Sequence, residues 1–261
     1  MKTTLQTVEE KVTQGNQWYT DDQYQNQLGT PGARWSLEGR WRLFGKAIEK
    51  WINSSDETLT SIKVLDAGCG DGINGRVLSS LLEEQEIRNE IIGCDYNSIR
   101  LDRAKRGPYK LLVPADLLQL PFENNYFDLI LCSHVLEHIP QDEACLREMG
   151  RVLKPNGLLI LAVPNEGCLL AKLRNNILER KILRTTDHVN FYTEKKLRFL
   201  ISKSGLELMT ETMREGFFMP HLGILTRLRE YAWGRKLLET ASRIFPSQAA
   251  GLVAGFSKTK R

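Results

Sequence analysis

Four stretches of the sequence place acids, glycines and histidines at spacings that suit ligand chemistry. The first is Val64-Leu65-Asp66-Ala67-Gly68-Cys69-Gly70-Asp71-Gly72. Glycines at three alternate positions let the backbone turn tightly and come close to a ligand. Two acids, Asp66 and Asp71, stand beside and within that loop. The second is Asp95-Tyr96-Asn97, where a carboxylate 23 residues after Gly72 can accept both hydroxyls of a ribose. The same four residues Asp95 to Ser98 also have the form of a helix N-cap, and the spacing after the loop favours the ribose. The third is Asp116-Leu117, where the carboxylate suits an exocyclic amino group of adenine. The fourth is the apolar run Phe127–Cys132 leading into Ser133-His134 and then Glu137-His138.

Charge selects among ligands. A dinucleotide would present an anionic pyrophosphate to the loop and the helix behind it. Asp66 and Asp71 would repel it. S-adenosylmethionine has no phosphate and carries a sulfonium and an ammonium, which acids suit. The loop also lacks the Gly-Lys-Ser/Thr of a P-loop, which disfavours nucleotide hydrolysis. The predicted cofactor set is Asp66, Gly68, Cys69, Gly70, Asp71, Gly72, Asp95, Tyr96, Asn97, Asp116, Leu117 and Ser133. The candidate bases are His134, which follows the fourth strand, and His188, in the loop after the fifth. His138 reads as a packing residue, and His221 carries no reading. No metal site is expected: the five cysteines form no C-x-x-C pair, and zinc-ligand spacing is absent.

The elements that must hold these residues follow from hydropathy periodicity. Trp41, Phe44, Ala47, Ile48, Trp51 and Ile52 recur at helical spacing, predicting a helix over 35–52. Strands are predicted at 61–67, 90–95, 110–115, 126–133 and 158–163. Helices at 74–86, 98–106 and 142–153 alternate with them, the last stopped by Lys154-Pro155-Asn156-Gly157. A helix capped by Thr193 and ended by Gly205, then strands at 206–211 and 251–257, complete the series, and 219–245 reads as mostly helical. Alternating strands and helices imply parallel units with helices on both faces. The expected fold is therefore a Rossmann-like three-layer sandwich. It has a mostly parallel seven-stranded sheet, with helical cover elements at the N- and C-terminal sides. Residues 1–60 form the N-terminal cover. Residues 61–261 form the catalytic domain, with basic helical insertions at about 166–192 and 217–249.

The matching motifs make the resemblance specific. VLDAGCGDG (64–72), IIGCDYN (91–97), ADLLQLPFENNYFDLILCSHVLEHI (115–139), EMGRVLKPNGLLILAVPN (148–165) and DHVNFYTEKKLRFLISKSGLEL (187–208) resemble class I S-adenosylmethionine-dependent methyltransferases. The broad group containing the ubiquinone and menaquinone biosynthesis methyltransferases is the most similar. The resemblance covers about residues 61–210 and implies methyl transfer to a small-molecule, glycan or lipid-linked acceptor, with oxygen the expected atom. GARWSLEGRWRLFGKAIEKW (32–51) is loosely similar to methyltransferases encoded among polysaccharide genes. A nicotinamide-dependent oxidoreductase and a non-catalytic cofactor-binding scaffold are the alternatives.

Composition sets the remaining expectations. Hydrophobic residues make up 41% and charged residues 26%, as in an ordinary globular protein. The polar N-terminus and the unpaired cysteines predict a reduced, cytoplasmic protein. The net charge of +4 divides unevenly: residues 1–171 carry 18 basic and 24 acidic side chains, and residues 172–261 carry 18 basic and 8 acidic. Such a basic C-terminal third reads either as a solvated face or as a surface suited to an anionic acceptor or peripheral contact with an anionic membrane. Nucleic acid is disfavoured, because no base-reading motif accompanies the charge.

Overall fold

A computed structural model of the chain describes residues 21–55, 58–178, 188–219 and 227–258. Parts of the expected N-terminal cover (1–20) and of both basic insertions (179–187 and 220–226, the latter with His221) lie outside the described residues. The strands are β1 (Ser61–Ala67), β2 (Arg88–Asp95), β3 (Tyr109–Pro114), β4 (Phe127–Ser133), β5 (Leu153–Pro164), β6 (Leu206–Leu208), β7 (Met213–Glu215) and β8 (Gly251–Lys258). The helices are α1 (Gln23–Leu28), α2 (Pro31–Asn53), α3 (Ile73–Glu83), α4 (Ser98–Ala104), α5 (Asp142–Val152), α6 (Leu169–Leu173), α7 (Glu194–Ser202) and α8 (Ala232–Ile244).

Alternation within each strand builds the layers. Val64 of β1, Leu129 of β4 and Ile160 of β5 turn to one face, where they meet Phe44, Ile48 and Trp51 of α2 and Leu78 and Leu82 of α3. Their neighbours Leu65, Ile130 and Leu161 turn to the other face, against Leu146 and Met149 of α5 and Leu197 and Ile201 of α7. Successive residues of a strand point to opposite sides, so a strand covered on both faces is apolar throughout. The amphipathic helix α2 is thus one wall of the core. It starts at Pro31, four residues before Trp35, because Thr30 caps it through an Oγ1 that accepts from the Ala33 N–H at 3.2 Å.

The sheet order is β3-β2-β1-β4-β5-β8-β6, with β1 to β5 parallel and β8 antiparallel to β5. Seven strands lie on this path, as expected. An eighth, β7, also pairs with β8. The predicted strand at 206–211 ends at Leu208. Beyond it, Thr210 turns inward and accepts the Gly255 N–H on its Oγ1 at 2.7 Å. The run Lys154–Gly157 is another departure. It does not separate helix from strand but opens β5, whose pairing with β4 shifts register between Phe127 and Leu129. Asn156 takes the left-handed φ of +62° that this irregularity needs. The sheet order reverses between β1 and β4, so the crevice for a ligand opens at the carboxyl ends of those two strands.

Candidate active site

The glycine loop leaves β1 at that crevice. Gly68, Gly70 and Gly72 have φ of +74°, +52° and +83°. The three are not equivalent. A Cβ at Gly68 would lie 2.4 Å from Val135 Cγ2, and one at Gly72 2.9 Å from the Tyr109 ring. A Cβ at Gly70 would meet only Arg100, at 3.9 Å. Gly68 and Gly72 are therefore required by packing, whereas Gly70 keeps open the space in front of the loop.

That space is a cavity of about 360 Å³, whose wall includes Gly68, Cys69, Gly70, Asp71, Ser133 and His134. Asp95 ends β2 behind it. Its Oδ2 accepts the Gly70 N–H at 2.9 Å and its Oδ1 the Asn97 N–H at 2.8 Å. Burial pushes the Asp95 carboxyl up, against the pull of those two N–H donors. Asn97 caps α4 through the Ile99 N–H at 3.0 Å. The N-cap predicted in this stretch is thus Asn97, while Asp95 ties β2 to the loop. Tyr96 follows on the same turn and is half-buried.

Of the predicted residues, Asp66, Gly72, Asp95, Tyr96, Asn97, Asp116 and Leu117 do not line this cavity. Asp66 is 1% exposed and accepts the Tyr109 hydroxyl at 2.6 Å. Burial raises its carboxyl to about 7, although the Tyr109 hydrogen bond pulls the other way. Asp116 binds its own turn, accepting the Leu118 N–H at 2.9 Å, and Leu117 is buried in the core. The acid that does reach the cavity is Asp71. One carboxylate oxygen accepts the Gln23 N–H at 2.7 Å, and the other, Oδ1, is buried with no hydrogen-bond partner among the described residues. Ser133 Oγ is buried in the same state.

No sequence signal marks α1, because its polar residues show no periodicity. It lies across the glycine loop, held by Gln23 and by the Tyr24 hydroxyl, which donates to the Gly72 carbonyl at 3.2 Å. Gln23 and Gln27 line the cavity, together with Ser36, Leu37 and Arg40 of α2. Arg40 also binds Glu215 at the end of β7 through two hydrogen bonds, at 2.7 and 2.9 Å. Burial favours a neutral Glu215, but the Arg40 charge outweighs it and holds the carboxyl below its usual range.

A second cavity of about 630 Å³ adjoins the first, and His134, His188 and Arg229 belong to both walls. Its lining includes Arg42, Lys46, Arg174, Arg214 and Arg243, the acids Glu166, Glu215 and Glu239, and the aromatic side chains of Trp35, Phe217 and Phe218. His134, at the end of β4, has a left-handed φ of +56° and donates its N–H to the Ala162 carbonyl at 2.8 Å. Its Nδ1 lies 3.4 Å from Glu137 Oε1, while its Nε2 is buried without a partner among the described residues. His188 is brought in from fifty residues further on by the backbone. The next two N–H groups, of Val189 and Asn190, donate to the Glu137 carbonyl at 2.9 and 3.1 Å. Its Nδ1 faces Glu166 Oε2 at 2.7 Å, and Glu166 also accepts from Arg174 at 2.6 Å. Burial disfavours the imidazolium, but Glu166 outweighs it and raises His188 above the ordinary histidine range. Burial likewise opposes ionisation of Glu166, and His188 and Arg174 outweigh it to hold the carboxyl low.

This sheet order, with a glycine loop after β1, an acid ending β2 and an open crevice at the β1/β4 reversal, defines the class I S-adenosylmethionine-dependent methyltransferase fold. The model of the methyltransferase-domain family matches residues 40–211, and the chain belongs to that family. It is 38% identical over 128 residues to an uncharacterized protein of Methanocaldococcus jannaschii, covering 47% of this chain and 48% of that one. It is 34% identical over 119 residues to the demethylmenaquinone methyltransferase of Staphylococcus saprophyticus, covering 44% and 50%. The chain spans about half the length of these curated relatives. Among solved structures, an S-adenosylmethionine-dependent methyltransferase from Mesorhizobium loti superimposes with TM-score 0.54 at 15% identity, covering 77% of this chain and 92% of that one. Phosphoethanolamine N-methyltransferase 2 of Haemonchus contortus, in complex with S-adenosyl-L-methionine, gives 0.55 at 16% identity, covering 82% and 52%. The family decides for S-adenosylmethionine over a nicotinamide cofactor. No helix among the described residues is long and apolar enough to cross a membrane.

Proposed function

We propose that this chain transfers a methyl group from S-adenosylmethionine to a hydroxyl oxygen of an anionic acceptor that also carries an apolar or ring portion. The observation that carries this reading is the second cavity, whose lining holds six Lys or Arg side chains against three Glu, together with Trp35, Phe217 and Phe218, and which shares His134 and His188 with the cofactor cavity. A concave site of this size suits a small molecule, and the cations suit a phosphate, carboxylate or sulfate group.

The open cradle at Gly70 and the orphan oxygens of Asp71 and Ser133 fit the cofactor. Asp71 and Asp95 would meet its cationic and ribose parts, and Gly70 would give it room. When bound, it supplies a sulfonium-activated methyl group. The chain's own work is alignment, exclusion of water and removal of one proton. α1 covers the loop and shields it from solvent. His134 Nε2 takes the acceptor's hydroxyl proton, with Glu137 behind its Nδ1. The acceptor oxygen, freed of its proton, would be placed to receive the methyl group that the cofactor would supply. Glu166 orients His188 at the wall shared by the two cavities.

A lipid-linked acceptor is favoured by α8. This helix buries only Gly234 and Leu238, and it leaves Trp233, Leu237 and Ile244 more than half exposed beside Lys236 and Arg243. Such a face suits the surface of an anionic membrane.

The test is incubation of extract metabolites with the chain and methyl-labelled cofactor, followed by mass spectrometry. The expected product is an anion carrying one labelled O-methyl group. Label on a nitrogen of a cationic product would overturn the acceptor assignment. Cofactor binding with no labelled product in any extract would return the scaffold alternative.

A further inference from the structure

Between the two cavities, one oxygen of Glu137, one ring nitrogen of His138 and one of His188 lie within 4.8 Å of one another. Glu137 is fully buried, yet neither of its carboxylate oxygens has a hydrogen-bond partner among the described residues. His134 Nδ1 lies 3.4 Å from one of them. A buried carboxylate without donors is costly unless a charge compensates it. The cluster is also built rather than accidental. The backbone bonds from Val189 and Asn190 to Glu137 fix the two segments in register, and the Asn190 side chain donates to the Ile139 carbonyl at 2.7 Å. The His138 and His188 rings meet edge to face at 4.8 Å.

We propose that Glu137, His138 and His188 hold a divalent transition-metal ion of the zinc type at the wall shared by the two cavities. Two imidazoles and one carboxylate are a ligand set that such ions favour, and three protein ligands leave a position for an acceptor oxygen. A tetrahedral shell with bonds of about 2.1 Å has edges of about 3.4 Å, so ligand atoms within 4.8 Å of one another must close by up to about 1.4 Å, a rotamer-scale adjustment. Glu166 is the positioning residue. By accepting from His188 Nδ1 at 2.7 Å it leaves Nε2 to the metal, the carboxylate–histidine–metal arrangement. The ion would bind the acceptor hydroxyl and lower its pKa, so that His134 removes the proton more readily. This rests on the reading of the His134 side as the place of transfer. Sequence spacing hides the set, because His188 lies fifty residues from His138.

The experiment uses the full chain, stripped with chelator and titrated with Zn²⁺ by calorimetry and with Co²⁺ by visible absorption. Binding of S-adenosylhomocysteine is measured on the same samples, and circular dichroism checks the fold of each variant. One ion per chain is expected. His138→Ala and His188→Ala should each weaken Zn²⁺ at least tenfold and remove the Co²⁺ bands, and Glu166→Gln should weaken Zn²⁺ about tenfold. Should either histidine variant misfold, His188→Asn gives the same comparison with less change in packing. Absence of a stoichiometric site, or a site unchanged in both folded histidine variants, overturns the metal. If S-adenosylhomocysteine still binds in that case, only the metal inference fails. If it does not bind to the wild type either, the cofactor reading fails with it.

Discussion

Replacing Gly70 by alanine separates the packing role of the loop from its binding role. At φ +52° an L-residue costs about 1–2 kcal/mol relative to glycine. The new methyl meets nothing closer than Arg100 at 3.9 Å, so no overpacking adds to that cost. The N–H that donates to Asp95 is retained. In a chain of this length Tm should therefore fall by only about 2–8 °C. The methyl projects into the space in front of the loop, so S-adenosylmethionine affinity should drop at least tenfold, or about 1.4 kcal/mol. Gly68→Ala is the contrast. Its Cβ would lie 2.4 Å from Val135 Cγ2, adding about 1–3 kcal/mol of overpacking to the same backbone strain. Thermal melts and isothermal titration on both variants give the comparison. A folded Gly70→Ala variant with wild-type affinity would refute the placement of the cofactor, and equal Tm losses in the two variants would refute the packing argument.

Four further outcomes follow from the site and its supports. Asp66 has a folded-state carboxyl at about 7, above its unfolded value of 3.8, so the folded state binds this proton more tightly. Its contribution is complete below about pH 4 and is lost as pH rises through 7, amounting to about 4 kcal/mol. Asp66→Asn should flatten that part of the stability–pH curve in urea melts of the cofactor-free protein, and an unchanged slope would sink the assignment. Arg40→Ala leaves Glu215 buried and unpaired and should cost about 3–5 kcal/mol, read as a lowered urea midpoint. Asp95→Ala should weaken the cofactor by about 1.5–3 kcal/mol in titration calorimetry, since charged hydrogen bonds are lost; unchanged affinity would reduce Asp95 to a loop tie. Vesicles rich in anionic lipid should bind the protein at low salt and release it as salt rises, with Trp233→Ser and Leu237→Ser reducing binding while cofactor affinity holds. No binding at low salt would remove the membrane from the acceptor argument.

Periodicity and motif spacing were enough to read the layers and the cofactor. Its alternation of β-branched runs with amphipathic helices leaves few topologies once right-handed crossovers are required. A glycine loop after the first strand then marks the crevice. Local rules were enough there, because the central strands β4 and β5 are buried on both faces and each turn carries its own chemistry. They failed where one segment's structure depends on a distant partner. Residues 23–28 show no periodicity and become helical against Asp71 and Gly72. The run 154–157 reads as a stop, yet it joins the sheet because Phe127 pairs with Leu153 and the Trp51 indole donates to the Asn156 carbonyl at 2.8 Å. Asp66 and Asp71 look alike in the loop motif. Strand alternation and the position of Tyr109 send Asp66 into the interior and leave Asp71 to the cavity. The meeting of Glu137, His138 and His188 is likewise a property of the fold, since fifty residues of chain separate His188 from His138, and the backbone bonds to the Glu137 carbonyl and the Asn190–Ile139 bond bring them together.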